Sequence, residues 1–155
     1  MPQKEIGYIA IAIGVAWFVV TLFIIRLTEF WLNFTLSVLL TGAGAGALVY
    51  HDYRIGLVKK RISVVEDNVR RAKSLVMEFN LGTEYETALD GIRIELSDLY
   101  IKPKVGEAVD KLLGNCEETV KELTKCVEEK DKERVKRTIS LLRDRVADIR
   151  SEFRR

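Results

Sequence analysis

Two apolar runs fill Ile6 to Tyr50, interrupted only by Arg26-Leu27-Thr28-Glu29. Each is about 20 residues long without a charge, the length an α-helix needs to cross a hydrocarbon core. From His51 onward the chain becomes densely charged and helically periodic. The averages of 48% hydrophobic and 31% charged residues therefore describe neither part. The expected fold is all-α: a transmembrane hairpin over residues 1–53, with spans at about 6–25 and 30–50, then a cytoplasmic helical domain over 54–155. Lys4 ahead of an apolar run resembles a secretory leader, but Ile24-Ile25-Arg26-Leu27-Thr28 has no small-x-small cleavage site, so the run is read as retained.

Basic residues near the span ends set orientation. Arg54, Lys59, Lys60 and Arg61 follow the second span, whereas the turn holds one Arg beside Glu29. The helical domain and both termini are thus expected in the cytoplasm, with those four basic residues as candidates for lipid headgroup contact or for fixing topology alone. Trp31 at the turn and Tyr8, Tyr50 and Tyr53 at the other end suit the membrane interfaces, whereas Trp17 falls near mid-bilayer.

With the turn centred on residue 28, facing residues have numbers totalling about 56, which pairs Ala10 with Gly46, Gly14 with Gly42, and Thr21 with Thr35. Small residues at matching depth let two helices approach closely in lipid. The expected transmembrane packing is therefore Ala10 and Gly14 against Gly42 and Gly46. Gly44 points about 160° away from those two glycines, which leaves a second membrane face of Thr41, Gly44 and Leu48. The Gly-Ala-Gly-Ala-Gly string is not a nucleotide loop, because Ala47 stands where a third glycine is needed and no strand precedes it. Neither run contains an ionisable side chain, which argues against a pump or a voltage-gated channel.

In the second part Ile55, Val58, Ile62, Val65, Val69, Ala72, Val76 and Phe79 alternate spacings of three and four. That is a coiled-coil seam, with β-branched residues at the positions that favour two strands. Packing inside the chain is preferred slightly over a two-chain coil. Extended upstream, the register passes through His51, Leu48, Gly44 and Thr41, with Gly56 as a weak point in helix continuity. Asn80-Leu81-Gly82 is a helix stop, and Thr83 with Glu86 reads as a capping box. Four helices are expected, at about 54–80, 84–101, 104–129 and 132–153, as an up-down bundle. The third buries Val105, Val109, Leu112, Cys116, Val120, Leu123 and Val127; the fourth, capped by Asp131, buries Val135, Ile139, Leu142, Val146, Ile149 and Phe153. Cys116 and Cys126 sit about 15 Å apart along one helix, too far to bridge.

Residues 83–130 carry five more acidic than basic side chains and residues 132–155 five more basic than acidic. Neutralisation within the bundle is the preferred expectation. A basic patch of Arg137, Arg143, Arg145, Arg150, Arg154 and Arg155 is the alternative, but interspersed Glu133, Asp144, Asp148 and Glu152 speak against nucleic acid. The single histidine, His51, excludes histidine-based triads and clustered zinc sites, and no phosphate loop or nucleophile elbow is present. No catalytic residue, cofactor or metal is expected. The chain reads as a non-enzymatic membrane anchor or scaffold presenting a helical interaction domain, with lipids, a second copy and an unidentified protein as partners. A lipid-responsive relay through the second span, and an accessory subunit of a membrane enzyme or transporter, are the alternatives.

Overall fold

The computed structural model describes the backbone of residues 3–24 and 27–154 and the side chains of 5–20 and 31–154. Every regular element among them is a helix: α1 Gln3–Ile24, α2 Leu27–Glu78, α3 Thr83–Ile101, α4 Glu107–Glu128 and α5 Lys132–Arg154. The chain divides into two compact units, Met1–Arg54 and Ile55–Arg155, and α2 contributes to both. Gly56, the expected weak point, lies within α2 without interrupting it.

In the first unit α1 and the early part of α2 run antiparallel. Gly7 lies against Gly44 and Leu48, Gly14 against Ser37 and Thr41, and the Phe18 and Phe34 rings are 5.9 Å apart. Paired numbers rise on one helix as they fall on the other. The connection at residues 25–26 and the side chain of Thr21 lie outside the described residues. Thr35, expected to bond to Thr21, donates to its own helix at the Trp31 carbonyl, 2.8 Å away.

The second unit is a four-helix bundle around one core. From α2 come Val58, Ile62, Val65, Val69, Ala72 and Val76; α3 adds Tyr85, Leu89, Ile92, Leu96 and Leu99. Lys73 Nζ meets Asp90 Oδ2 at 2.7 Å, and Lys59 lies over the Tyr100 ring, so α3 runs back along α2. The inward face of α4 is Val109, Leu113, Cys116, Val120, Leu123 and Val127. Leu113 replaces the expected Leu112, which is only half-buried, because a step of four from Val109 suits the helical drift better than a step of three. α4 begins at Glu107, so Val105 precedes it. Val135, Ile139, Leu142, Val146 and Ile149 complete the core from α5, with Phe153 packed at its edge.

Two tight junctions set this connectivity. α2 ends in a Schellman motif: Asn80 has φ 50, Leu81 N–H donates to the Val76 carbonyl, and Asn80 N–H donates to the Met77 carbonyl. Leu81 then turns into the core. Gly82, at φ 145, takes the N-cap of α3 with no side-chain cap bond. The expected capping box is therefore not formed: Thr83 is already the first helical residue and lies too far inside to cap. Between α4 and α5, Lys130 has φ 55, while Asp131 N–H donates to the Cys126 carbonyl and Asp131 Oδ1 accepts from Arg134 N–H at 3.1 Å. Asp131 thus closes one helix with its backbone and caps the next with its side chain, as its sequence position suggests.

Candidate interaction surfaces

The contact between α1 and α2 is made by small residues in a register different from the expected one. Gly7 with Gly44 and Gly14 with Ser37 both total 51, not 56. α1 stops at Ile24 and α2 starts at Leu27, so the pairing centres near residue 25.5. Moving the partner by five residues turns a helix by about 140°. Gly42 and Gly46 accordingly have open space beside them and do not form the seam. Gly14 remains in the contact and Ala10 is half-buried. Thr41, Gly44 and Leu48, expected on a second face, are the seam itself: a methyl group on Gly14 would lie 2.5 Å from Thr41 Oγ1, and one on Gly7 would lie 2.9 Å from the Leu48 side chain. Matched spacings of seven, Gly7 to Gly14 and Ser37 to Gly44, are the sequence signal for this register.

Polar groups in the pair are used internally. Ser37 Oγ donates to the Gly14 carbonyl at 2.5 Å, and Trp17 Nε1 donates to Asn33 Oδ1 at 3.1 Å. Trp17, the aromatic that does not suit an interface, and Asn33 thus satisfy each other across the two helices. Beside them Gly14, Phe18, Phe34 and Thr41 help line an open, almost wholly apolar cavity of about 300 Å³. The outer surface is apolar too, with Ile13, Leu32, Leu39 and Val49 exposed. Among the described residues one helix, α2, is long and apolar enough to cross a membrane, and only 17% of its apolar window is buried within the chain. The apolar part of α1, Glu5–Val20, is shorter.

The α2 stripe of the bundle is filled from within the chain. Val58, Ile62, Val65, Val69, Ala72 and Val76 are at most 1% exposed, while Ile55 and Phe79 at its ends are half-buried. A two-chain coiled coil along that stripe would have to displace α3, α4 and α5.

Of the four basic residues following the apolar stretch, Arg61 is a bundle residue and not a free headgroup ligand. Its Nε meets Glu117 Oε1 at 2.8 Å, its Nη1 donates to the Asp110 carbonyl at 3.0 Å, and the bond to Glu117 raises its pKa above the ordinary arginine value. Lys59 is engaged with Tyr100, Arg54 is half-buried, and Lys60 is exposed. Arg145 donates to the Asn115 carbonyl and Thr119 Oγ1, tying α5 to α4. Beside it, burial pushes the Cys116 thiol up to about 11, and both cysteines are free and buried. No three His, Cys, Asp or Glu side chains among the described residues converge as a metal site.

Arg134 of α5 pairs with Glu129 at 2.6 Å, at the loop. Lys136, Arg143 and Arg150 are exposed at spacings of seven, and Glu133, Asp144 and Asp148 fall on another flank of the helix. Arg155 lies outside the described residues. Between α5 and α3 run two adjoining cavities of about 350 Å³ each, one flanked by Arg143, Gly91 and Glu95, the other by Lys136, Glu84 and Ala88.

These features define an all-helical protein with an apolar helix pair and a closed helical bundle. Comparison with protein-family models, with curated proteins and with solved structures finds no match.

Proposed function

We propose that this chain is a non-enzymatic integral membrane protein, in which α1 and the early part of α2 form a two-span hairpin that holds the bundle at the cytoplasmic face as an interaction domain. One observation carries the membrane assignment: a helix pair closed on itself by Gly7, Gly14 and Gly44, with its polar groups paired inside and its large apolar side chains outside. Water would drive such a surface into contact with something apolar, whereas hydrocarbon solvates it and leaves close backbone packing to hold the pair. Arg54, Lys59 and Lys60 against one turn arginine favour the cytoplasmic orientation. The protein should resist alkaline carbonate extraction from membranes and dissolve in detergent. Tags at both termini should survive external protease on sealed right-side-out vesicles and be cut after permeabilisation. Release by carbonate would remove the membrane assignment, and cleavage from outside would remove the orientation.

A second reading, a relay through α2, is favoured by the uninterrupted helix from Leu27 to Glu78 and by the common heptad phase of Gly44, Leu48, Val58 and Ile62. One inserted residue after Tyr53 rotates everything downstream by about 100°. A relay would lose its output with one or two inserted residues, and an anchor would not. Co-purification of a fixed heteromeric partner after mild solubilisation would point instead to an accessory subunit.

A further inference from the structure

We infer that the α3–α5 face of the bundle docks a second copy of this chain across a two-fold axis parallel to the helices, with Gly91 and Arg143 midway along the contact. The inference rests on the bundle being an interaction domain and names its partner. The two stripes that sequence alone offers for self-association, the α2 heptads and the Gly44 face, are both consumed inside the chain. A contact between copies must therefore use a different surface.

α3 carries a second repeat. Its inner heptad positions, Tyr85, Leu89, Ile92, Leu96 and Leu99, are buried. Two residues on, Thr87, Gly91, Ile94, Asp98 and Ile101 repeat the same spacing on the opposite side of the helix. Ile94 and Ile101 are 60% and 66% exposed, and Gly91 has open space where a side chain would stand. A glycine followed along the same face by two outward isoleucines is a poor solvent face and a good crossing point for another helix.

The charges on this face are self-complementary. Glu84, Gly91 and Asp98 follow one another at intervals of seven on α3, as do Lys136, Arg143 and Arg150 on α5. The shared cavities put Lys136 level with Glu84 and Arg143 level with Gly91, so the two rows run side by side in the same direction. Seven residues are about 10.5 Å of helix. A two-fold axis parallel to the helices and midway between the rows therefore sets the acidic row of one copy against the basic row of the other, with Lys136 opposite Glu84 and Arg150 opposite Asp98, and leaves α2 of both copies running the same way, as two hairpins in one membrane require. None of these four charges makes an ion pair within the chain among the described residues. An isologous contact of this kind closes at two copies. An anionic polymer fits less well, because the acidic row adjoining the basic one repels it.

The test uses the full chain in native membranes and in detergent micelles. Gly91→Cys places identical thiols near the axis and should give a covalent dimer with a short bis-maleimide, at least about tenfold above Lys121→Cys on the exposed side of α4. Cys116 and Cys126 are buried and give no background. In micelles, Lys136→Glu with Arg150→Glu should weaken dimerisation about tenfold or more, as should Glu84→Lys with Asp98→Lys, and all four together should restore it to within about threefold. Circular dichroism checks each variant's fold, and the crosslink stands alone if a reversal unfolds. A Gly91→Cys product no more abundant than that of Lys121→Cys, an adduct whose mass is not twice the chain, or a dimer indifferent to both reversals would overturn the inference. Carbonate extraction separately reports the membrane assignment, and the crosslink can be read in either fraction.

Discussion

Gly44 lies so close to the Gly7 carbonyl that a methyl group on its Cα would sit 2.7 Å from that oxygen. The obstacle is backbone and cannot swing aside. Gly44→Ile should therefore separate α1 from α2 and cost about 1–3 kcal/mol of hairpin stability, the usual range for overpacking. Gly42→Ile and Gly46→Ile enter open space and should stay within about 0.5 kcal/mol of the parent. Unfolding in mixed micelles, followed by fluorescence of Trp17 and Trp31, separates the cases. Equal effects at Gly42 and Gly44 would mean that the seam is misplaced.

Arg61 joins α2 to α4 through a carboxylate and a carbonyl at once. About a third of its side chain remains exposed, so solvent weakens the ionic part. Arg61→Ala should cost about 1–2 kcal/mol, since a charge-assisted bond and a carbonyl bond are lost together. Lysine has one point of attachment, so Arg61→Lys should recover less than half of that. Urea denaturation of the bundle in the detergent-solubilised chain measures both. If Arg61→Ala were silent, the residue would be free for another partner, including a headgroup.

Much of the bundle is legible in the sequence because its helices are amphipathic: the stripes of α3 and α5 are buried as periodicity requires, and Asp131 caps where it should. The hairpin register is not legible in the same way. In two wholly apolar runs no polar face marks the outside, so facing residues depend on where the turn is centred, and an error of two or three residues there swaps Gly44 for Gly42. Charge was opaque for a related reason. Net counts over a segment do not say that Lys136, Arg143 and Arg150 share one flank while Asp144 and Asp148 occupy another. Thr83 misleads because a capping box is a pattern of types, and a one-residue shift in the helix start removes its geometry.

The Lys73 ammonium, hydrogen-bonded to Asp90 at 2.7 Å, holds the Asp90 carboxyl below the usual carboxylate range. A depressed folded pKa stabilises the fold at pH above the unfolded value, about 3.9, and that contribution disappears as pH falls through the folded value. Lys73→Met should therefore be less stable than the parent near pH 6, with the gap closing below about pH 4. Added salt should also shrink the gap at pH 6, because the pair is partly exposed. Melting temperatures of the two proteins between pH 2 and 7 provide the comparison; a gap unchanged down to pH 2 would show that Lys73 acts through packing of its alkyl chain alone.

Lys130 sets two effects of similar size against each other. Its left-handed backbone, φ 55, costs a side-chain-bearing residue about 1 kcal/mol relative to glycine, while its ammonium lies 4.7 Å from the Phe79 ring centre, a contact contributing about 0.5–1 kcal/mol at an exposed site. Lys130→Gly should consequently change stability by less than about 0.5 kcal/mol. In a Phe79→Leu background the ring contact is already absent, so the same substitution should stabilise by about 1 kcal/mol, and the difference between backgrounds isolates the cation–π term. Asp131→Ala, which removes the α5 cap and touches neither effect, should cost about 1 kcal/mol in both. Chemical denaturation of the six proteins reads all three quantities. An identical response to Lys130→Gly in the two backgrounds would leave backbone strain as the only role of that position, and the contact with Phe79 would then contribute nothing to holding the α4–α5 junction against the end of α2.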